Sequence, residues 1–363
     1  MSNHRLSIDA YRGYSNGHSI WVSGRVLRKH EVNDKSPDSG RMATLRLLVS
    51  RWATREVAGV VVCLSASGQN TYAVTDSEGY YSARFDGVDP QLARDGVAAQ
   101  MRSADASAHH DLLVLPAGPQ YALISDIDDT VLHTGIGSPG RALKLTLATP
   151  VSRREPLPGA ADLYRRWVRE HGDHDFSPVF YLSNSPWNLY SYLKRFLDER
   201  DFPFGPLLLR DFGYSSFRGS HKDRTLIDLY QRFPETRFVL IGDAGQRDAE
   251  HYFHAIELFP GRTAAVFIRD VDPHSPSKRD LRVDHVAKRA GELDVPFSRV
   301  GSSQSIADRA AELGLLPEGP SLADTKSPDR RPDKDMQSEA RSYGFGSMRR
   351  LYDNVRHQVF DRL

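Results

Sequence analysis

From residue 121 onward, apolar runs of strand length alternate with segments of helical periodicity, and this alternation constrains the fold more than any other feature. Runs at 121–125, 179–182, 206–209, 238–241 and 264–268 are separated by helical patterns at 159–170, 186–200, 221–233 and 246–259. In the second pattern, Leu189, Tyr190, Leu193, Phe196 and Leu197 fall on one helical face. Strands joined through helices make βαβ units and a mostly parallel sheet, whose ligands bind in the crevice beyond the carboxyl ends of the strands.

Upstream, residues 5–115 read as short strands broken by turns, with β-branched residues at 57–65 and a turn at Asp76-Ser77-Glu78-Gly79 before an alternating strand. This predicts a smaller all-β, sandwich-like domain. VTDSEGYYSARF resembles the small sandwich modules of the transthyretin or carboxypeptidase-regulatory kind. A chain of 363 residues exceeds one ordinary core. The expected division is 1–118 for the β domain, 119–300 for the α/β domain, 301–342 for a polar, disordered linker and 343–363 for a basic amphipathic helix.

Composition removes several function classes. Lys and Arg total 48 against 47 Asp and Glu, giving a net charge of +1 and no electrostatic case for nucleic-acid binding. The single cysteine, Cys63, excludes a disulfide framework and a cysteine-rich zinc site, and its Val-rich strand makes a buried small hydrophobe the expectation. No run approaches the roughly 18 apolar residues of a membrane span, and the N-terminus lacks a signal-peptide core. A cytoplasmic location is expected, with peripheral membrane contact open through 343–363, where Phe345, Met348, Leu351 and Val355 share a face beside Arg349, Arg350 and Arg356.

The chemistry concentrates at strand ends. SDIDDTV follows the first α/β strand, and alternation places Asp126 and Asp128 on one face, where they repel unless a hard cation neutralises them. Asp126 is the expected nucleophile; an acidic turn would look the same in isolation. Ser183 closes the second strand, with Ser185-Pro186 expected as N-cap and first residue of the next helix, so that Ser183 can hold a phosphoryl oxygen near a helix start. Lys222 lies in the first turn of a helix, where a cation meets the unfavourable end of the macrodipole; it is either a phosphoryl ligand or a solvated surface lysine. Asp243 stands just past a strand and can complete a cation site, whereas Asp248 also fits simple dipole complementation at a helix start.

Rival motifs fail on context. GIGSPG at 135–140 is nine residues from its strand and does not open a helix, and GYSNG at 13–17 has no strand-to-helix elbow. His251 and His254, three apart on a helix, suggest no third metal ligand and read as surface.

DxDx[TV], a strand-end Ser, a Lys, and GD followed by a second Asp occur here in order, and together they resemble the haloacid-dehalogenase-like phosphotransferases. SDIDDTV, YLSNSPWNLY and IGDAGQRDAEHY further resemble the catalytic domain of the actin-patch-associated phosphatidate phosphatases and their bacterial relatives, as does YRGYSNGHSIWVSGRVL upstream. The resemblance implies a Rossmannoid domain in which Asp126 forms an aspartyl-phosphate and Asp128 protonates the leaving group, then activates water. It also implies Mg²⁺ held by the Asp126 carboxylate, the Asp128 carbonyl and Asp243. Ser183 and Lys222 would hold phosphoryl oxygens, Asp248 would fix Lys222, and Thr130 would support the motif. No cap domain interrupts the motifs, so residues 132–151 are the expected flap. The implied substrate is a phospholipid, phosphatidate, with a soluble phosphomonoester or a non-catalytic scaffold as alternatives.

Overall fold

Tyr11 sits in the same buried apolar cluster as Tyr181, Leu193 and Ile241, so the N-terminal strands share a core with the α/β half. A computed structural model describes residues 6–28, 57–87, 96–101, 106–115, 120–127, 130–131, 156–169, 178–210, 220–270 and 278–322. All of them belong to one compact unit.

The β half comprises β1 (Leu6–Ala10), β2 (Gly13–Ser15), β3 (Ser19–Arg28), β4 (Val61–Ala66), β5 (Gln69–Val74), β6 (Tyr80–Asp86), β7 (Val97–Met101), β8 (Ser107–His110) and β9 (Leu112–Val114). One sheet runs β1-β3-β2-β9 with β6 also on β3; the other runs β5-β4-β7-β8. All pairs are antiparallel except β2 with β9. In β4 the period of two sends Val62 and Leu64 into the core. Cys63 therefore faces the opposite side and is half-buried, not the core residue its neighbours suggest.

A buried histidine closes this half. His110 donates from Nδ1 to the Tyr11 carbonyl at 2.8 Å, and Tyr81 donates its hydroxyl to Nε2 at 3.0 Å, a pairing that suits the neutral ring. Burial is the main cause holding its pKa down at about 4. A histidine whose folded pKa lies below its ordinary 6.5 contributes stability above 6.5 and loses it as the pH falls toward the folded value. At 1.36 kcal/mol per pH unit this is on the order of 3 kcal/mol. Melting temperatures measured from pH 7.5 to 4.5 should fall through this window, and His110→Gln, which keeps a donor for Tyr11, should flatten the fall. An unchanged acid limb in the variant would assign the lability elsewhere.

The α/β half is a six-stranded, all-parallel sheet of order β12-β11-β10-β13-β14-β15. Its strands are β10 (Gln120–Asp126), β11 (Val179–Pro186), β12 (Leu207–Arg210), β13 (Thr236–Asp243), β14 (Thr263–Arg269) and β15 (Phe297–Val300). Helices α1 (Ala160–Arg169), α2 (Tyr190–Glu199), α3 (His221–Arg232), α4 (Asp248–Leu258), α5 (Lys278–Gly291) and α6 (Ser303–Glu312) cover both faces. One face packs Leu163, Leu193 and Ile306, and the other packs Leu226, Leu229, Tyr252 and Val283. Burial on both faces makes the central strands almost wholly apolar, as in β14.

Two boundaries differ from the sequence reading. Folded structure continues past residue 301: Ser302 caps α6 by accepting from the Ser305 amide, and Ile306, Ala307, Leu315 and Leu316 are buried. Residues 323–363, including the expected basic helix, lie outside the described residues, as does the expected flap at 132–151. Secondly, β11 runs on through Pro186, and a 3₁₀ turn at Trp187–Leu189 precedes α2. Ser185-Pro186 is therefore strand: a residue before proline is disfavoured in the helical region, and Pro186 itself is extended at φ −73° and ψ 154°.

Polar and aromatic contacts join the halves. The Tyr11 ring stacks on Trp187 at 4.3 Å, Arg12 reaches Asp198 at 2.6 Å, and Arg232 donates to the Tyr14 hydroxyl at 2.7 Å. Among the described residues no helix is long and apolar enough to cross a membrane.

Candidate active site

Parallel pairing brings the functional strand ends to one edge. Asp126 closes β10, the register places it beside Leu182 of β11, and Ser125 pairs with Ile241 of β13. Ser183 and Asp243 therefore stand at the same level, one strand away on either side. Alternation sends Asp126 to the side where Ala122 and Ile124 pack against α3 and α4, while Ser125 turns to the other side and meets the Tyr164 hydroxyl of α1 at 2.5 Å.

The two helices on the Asp126 side complete the cluster. Lys222, in the first turn of α3, puts Nζ 2.7 Å from Asp126 Oδ1 and 2.5 Å from Asp248 Oδ1. Asp248 opens α4, and its second oxygen accepts the Asp243 amide at 3.3 Å. Asp243 Oδ1 in turn accepts the Gln246 amide at 2.9 Å, which fixes the turn between β13 and α4. Gly242 makes this approach possible, because a Cβ there would lie 2.7 Å from Asp248 Oδ2 and 2.9 Å from the Tyr252 ring.

All four charged groups are removed from solvent: Asp126, Lys222 and Asp248 are 0% exposed and Asp243 is 1%. Burial alone would lower the lysine pKa, but the carboxylates of Asp126, Asp248 and Asp243 outweigh it and hold the ammonium charged, with its pKa above the ordinary lysine range. Lys222 is thus not the solvated surface lysine that its sequence position equally allowed. Asp248 does more than complement a helix dipole, since its two oxygens bracket Lys222 and the backbone of Asp243.

Asp126, Asp243 and Asp248 each present an oxygen within 4.8 Å of the others. Three buried carboxylates facing one ammonium leave an excess of negative charge, and hard oxygen donors at this spacing fit a divalent cation such as Mg²⁺. Thr130 is buried, and its Oγ1 has no hydrogen-bond partner among the described residues. Asp128 lies outside them.

A separate cleft of about 810 Å³ runs between β2–β3 and α3, walled by Trp21, Trp187 and Leu208. Its arginines already hold carboxylates, Arg12 with Asp198, Arg84 with Asp86 and Arg232 with Asp228, so it lacks the chemistry of the strand-end cluster. The sequence reading also placed His251 on the surface. Its side chain is 15% exposed and holds Asp223 at 2.8 Å. The available signal was its place one turn after Asp248, on the face of α4 that meets α3.

The model of the family described as "Phosphatidate phosphatase APP1, catalytic domain" matches residues 121–270, which span all five elements of this cluster. The phosphatidate phosphatase APP1 of Saccharomyces cerevisiae is 31% identical over 153 residues, covering 40% of this chain and 25% of the yeast protein. An uncharacterised protein of Schizosaccharomyces pombe is 31% identical over 157 residues, covering 41% and 25%. The chain thus spans about a quarter of the length of the curated relatives it matches. Among solved structures, the PilB minor pilin of Streptococcus sanguinis overlaps 88% of this chain and 90% of its own at 11% identity, with a TM-score of 0.29. Strand-end carboxylates, the buried lysine and the matched sequence coincide, and over residues 121–270 the chain is similar to the catalytic domain of phosphatidate phosphatase APP1.

Proposed function

We propose that this chain is a Mg²⁺-dependent phosphomonoester hydrolase of haloacid-dehalogenase-like design, acting on phosphatidate at a membrane surface and releasing diacylglycerol and inorganic phosphate. The observation that carries the reading is the buried chain Asp126–Lys222–Asp248, beside Asp243, at the carboxyl edge of a parallel sheet within the matched residues.

Asp126 attacks phosphorus while the bond to the glycerol oxygen breaks, and Asp128 donates a proton to that leaving oxygen. Asp128 then takes a proton from water, whose oxygen attacks the acyl-phosphate and restores Asp126. Lys222 and Ser183 hold the equatorial oxygens, and Asp248 keeps Lys222 aimed. Asp126, Asp243 and the Asp128 carbonyl would hold Mg²⁺, which when bound supplies charge neutralisation between carboxylates and phosphate. The segment at 343–363 would bring the site to the lipid surface.

Phosphate release from phosphatidate in mixed vesicles, measured beside a soluble phosphomonoester, tests both chemistry and substrate. Release from vesicles should require Mg²⁺ and stop in excess EDTA. Undiminished release in EDTA would overturn the metal reading. Efficient hydrolysis of the soluble ester with none from vesicles would replace phosphatidate by a soluble phosphometabolite.

A further inference from the structure

The first turns of α3 and α4 are joined twice. One join is the Lys222 ammonium on Asp248. The other lies beside it: His251 Nδ1 is 2.8 Å from Asp223 Oδ1, and His251 Nε2 is 3.2 Å from Ser220 Oγ. With Nδ1–H donating to the carboxylate, Nε2 accepts the serine hydroxyl, so one ring satisfies both partners. His254, half-exposed, stands 3.7 Å from the same Asp223 oxygen and is the weaker contact.

Ser220 is the N-cap residue of α3, yet its side chain makes no cap bond. Serine is favoured there because its oxygen accepts an amide of the first turn, and without that bond the first turn is the loosest part of a helix. Lys222 occupies this turn. Its side chain is long and flexible, so the backbone beneath it must be fixed from elsewhere. Ser220 and Asp223 flank Lys222 in the chain, and His251 follows Asp248 by one turn on α4. The relay therefore ties the segment carrying the lysine to the segment carrying its carboxylate.

We infer that Ser220, His251 and Asp223 form a positioning relay that holds the Lys222 ammonium between Asp126 and Asp248, and so sustains turnover without touching substrate. Its effect on turnover rests on the phosphohydrolase reading, whereas its effect on Lys222 does not.

The test uses the full chain labelled with ¹⁵N-lysine, with the Lys222 ammonium resonance assigned by its loss in Lys222→Met, together with kcat and KM on p-nitrophenyl phosphate. His251→Ala should shift or broaden that resonance and lower kcat about tenfold with KM within about twofold, as expected for a misplaced charge-stabilising group. His251→Asn, which retains a donor toward Asp223, should recover most of kcat. Should His251→Ala fail to fold, Ser220→Ala and Asp223→Asn break the relay from its ends and should move the resonance the same way. An unchanged resonance and kcat with only a lower melting temperature would make the relay a structural staple and overturn the proposal. If the wild-type chain hydrolyses no phosphomonoester, the phosphohydrolase reading has failed, and the response of the Lys222 resonance alone decides the relay.

Discussion

Asp126→Asn should abolish phosphate release, by roughly 10⁴-fold or more, while the purified protein melts close to the wild-type temperature. The amide is nearly isosteric, and its oxygen still accepts from Lys222 at the 2.7 Å position, so the buried ammonium keeps both neighbours. It cannot form an acyl-phosphate. Asp126 is sealed at 0% exposure between β11 and β13, so no neighbouring carboxylate on those strands can slide into its place without moving the sheet. Turnover within tenfold of wild type, measured on folded protein, would remove Asp126 from the attacking role.

Lys222→Met should damage both stability and chemistry. Methionine fills similar volume but leaves Asp126 and Asp248 buried with no ammonium between them, a loss on the order of 3–5 kcal/mol for a broken buried pair. Turnover should fall by roughly 10²–10³-fold, as for removal of one charge-stabilising donor. Because the lysine pKa is raised in the folded protein, its stabilisation is fully present below the unfolded value near 10.5 and fades as the pH rises through the folded one. Denaturant melts should therefore show a constant gap between wild type and variant from pH 6 to 9 and a narrowing gap in strong alkali. A gap that widened with alkali would show that the lysine is not held charged.

The sheet was legible because its strands are buried on both faces: 238–241 reads as an unbroken apolar run, and the strand that contains it, Thr236–Asp243, exposes only Arg237. The short β15 and α6 were not. Phe297–Val300 has only one fully buried residue, and α6 packs through small residues, Ala307 and Ala310, that give weak periodicity. At the site, Asp126, Ser183, Lys222, Asp243 and Asp248 could be named from residue type and placement at strand ends and helix starts. Their convergence is a matter of register and helix packing, which no local pattern encodes. The same holds for His251, whose role depends on a neighbour 28 positions earlier. Ser185-Pro186 misled because proline fits both the first turn of a helix and an extended strand end, and here Pro186 takes φ −73° and ψ 154°.

The stretch that matches the family begins at residue 121, but the core beneath it does not. Tyr11 between β1 and β2, Tyr14 in β2, and Ile306 and Ala310 in α6 are buried in the clusters that flank the parallel sheet. The unit that folds cooperatively is therefore wider than the unit that carries the chemistry, and a fragment cut at the ends of the matched stretch would bare both flanks of its own core. Inheritance of the two should differ accordingly. A substitution at Tyr11 or Ala310 would spare the strand-end cluster and thin the population that survives quality control, so that a lesion far from that cluster would present in a cell as scarcity of the protein rather than as altered chemistry.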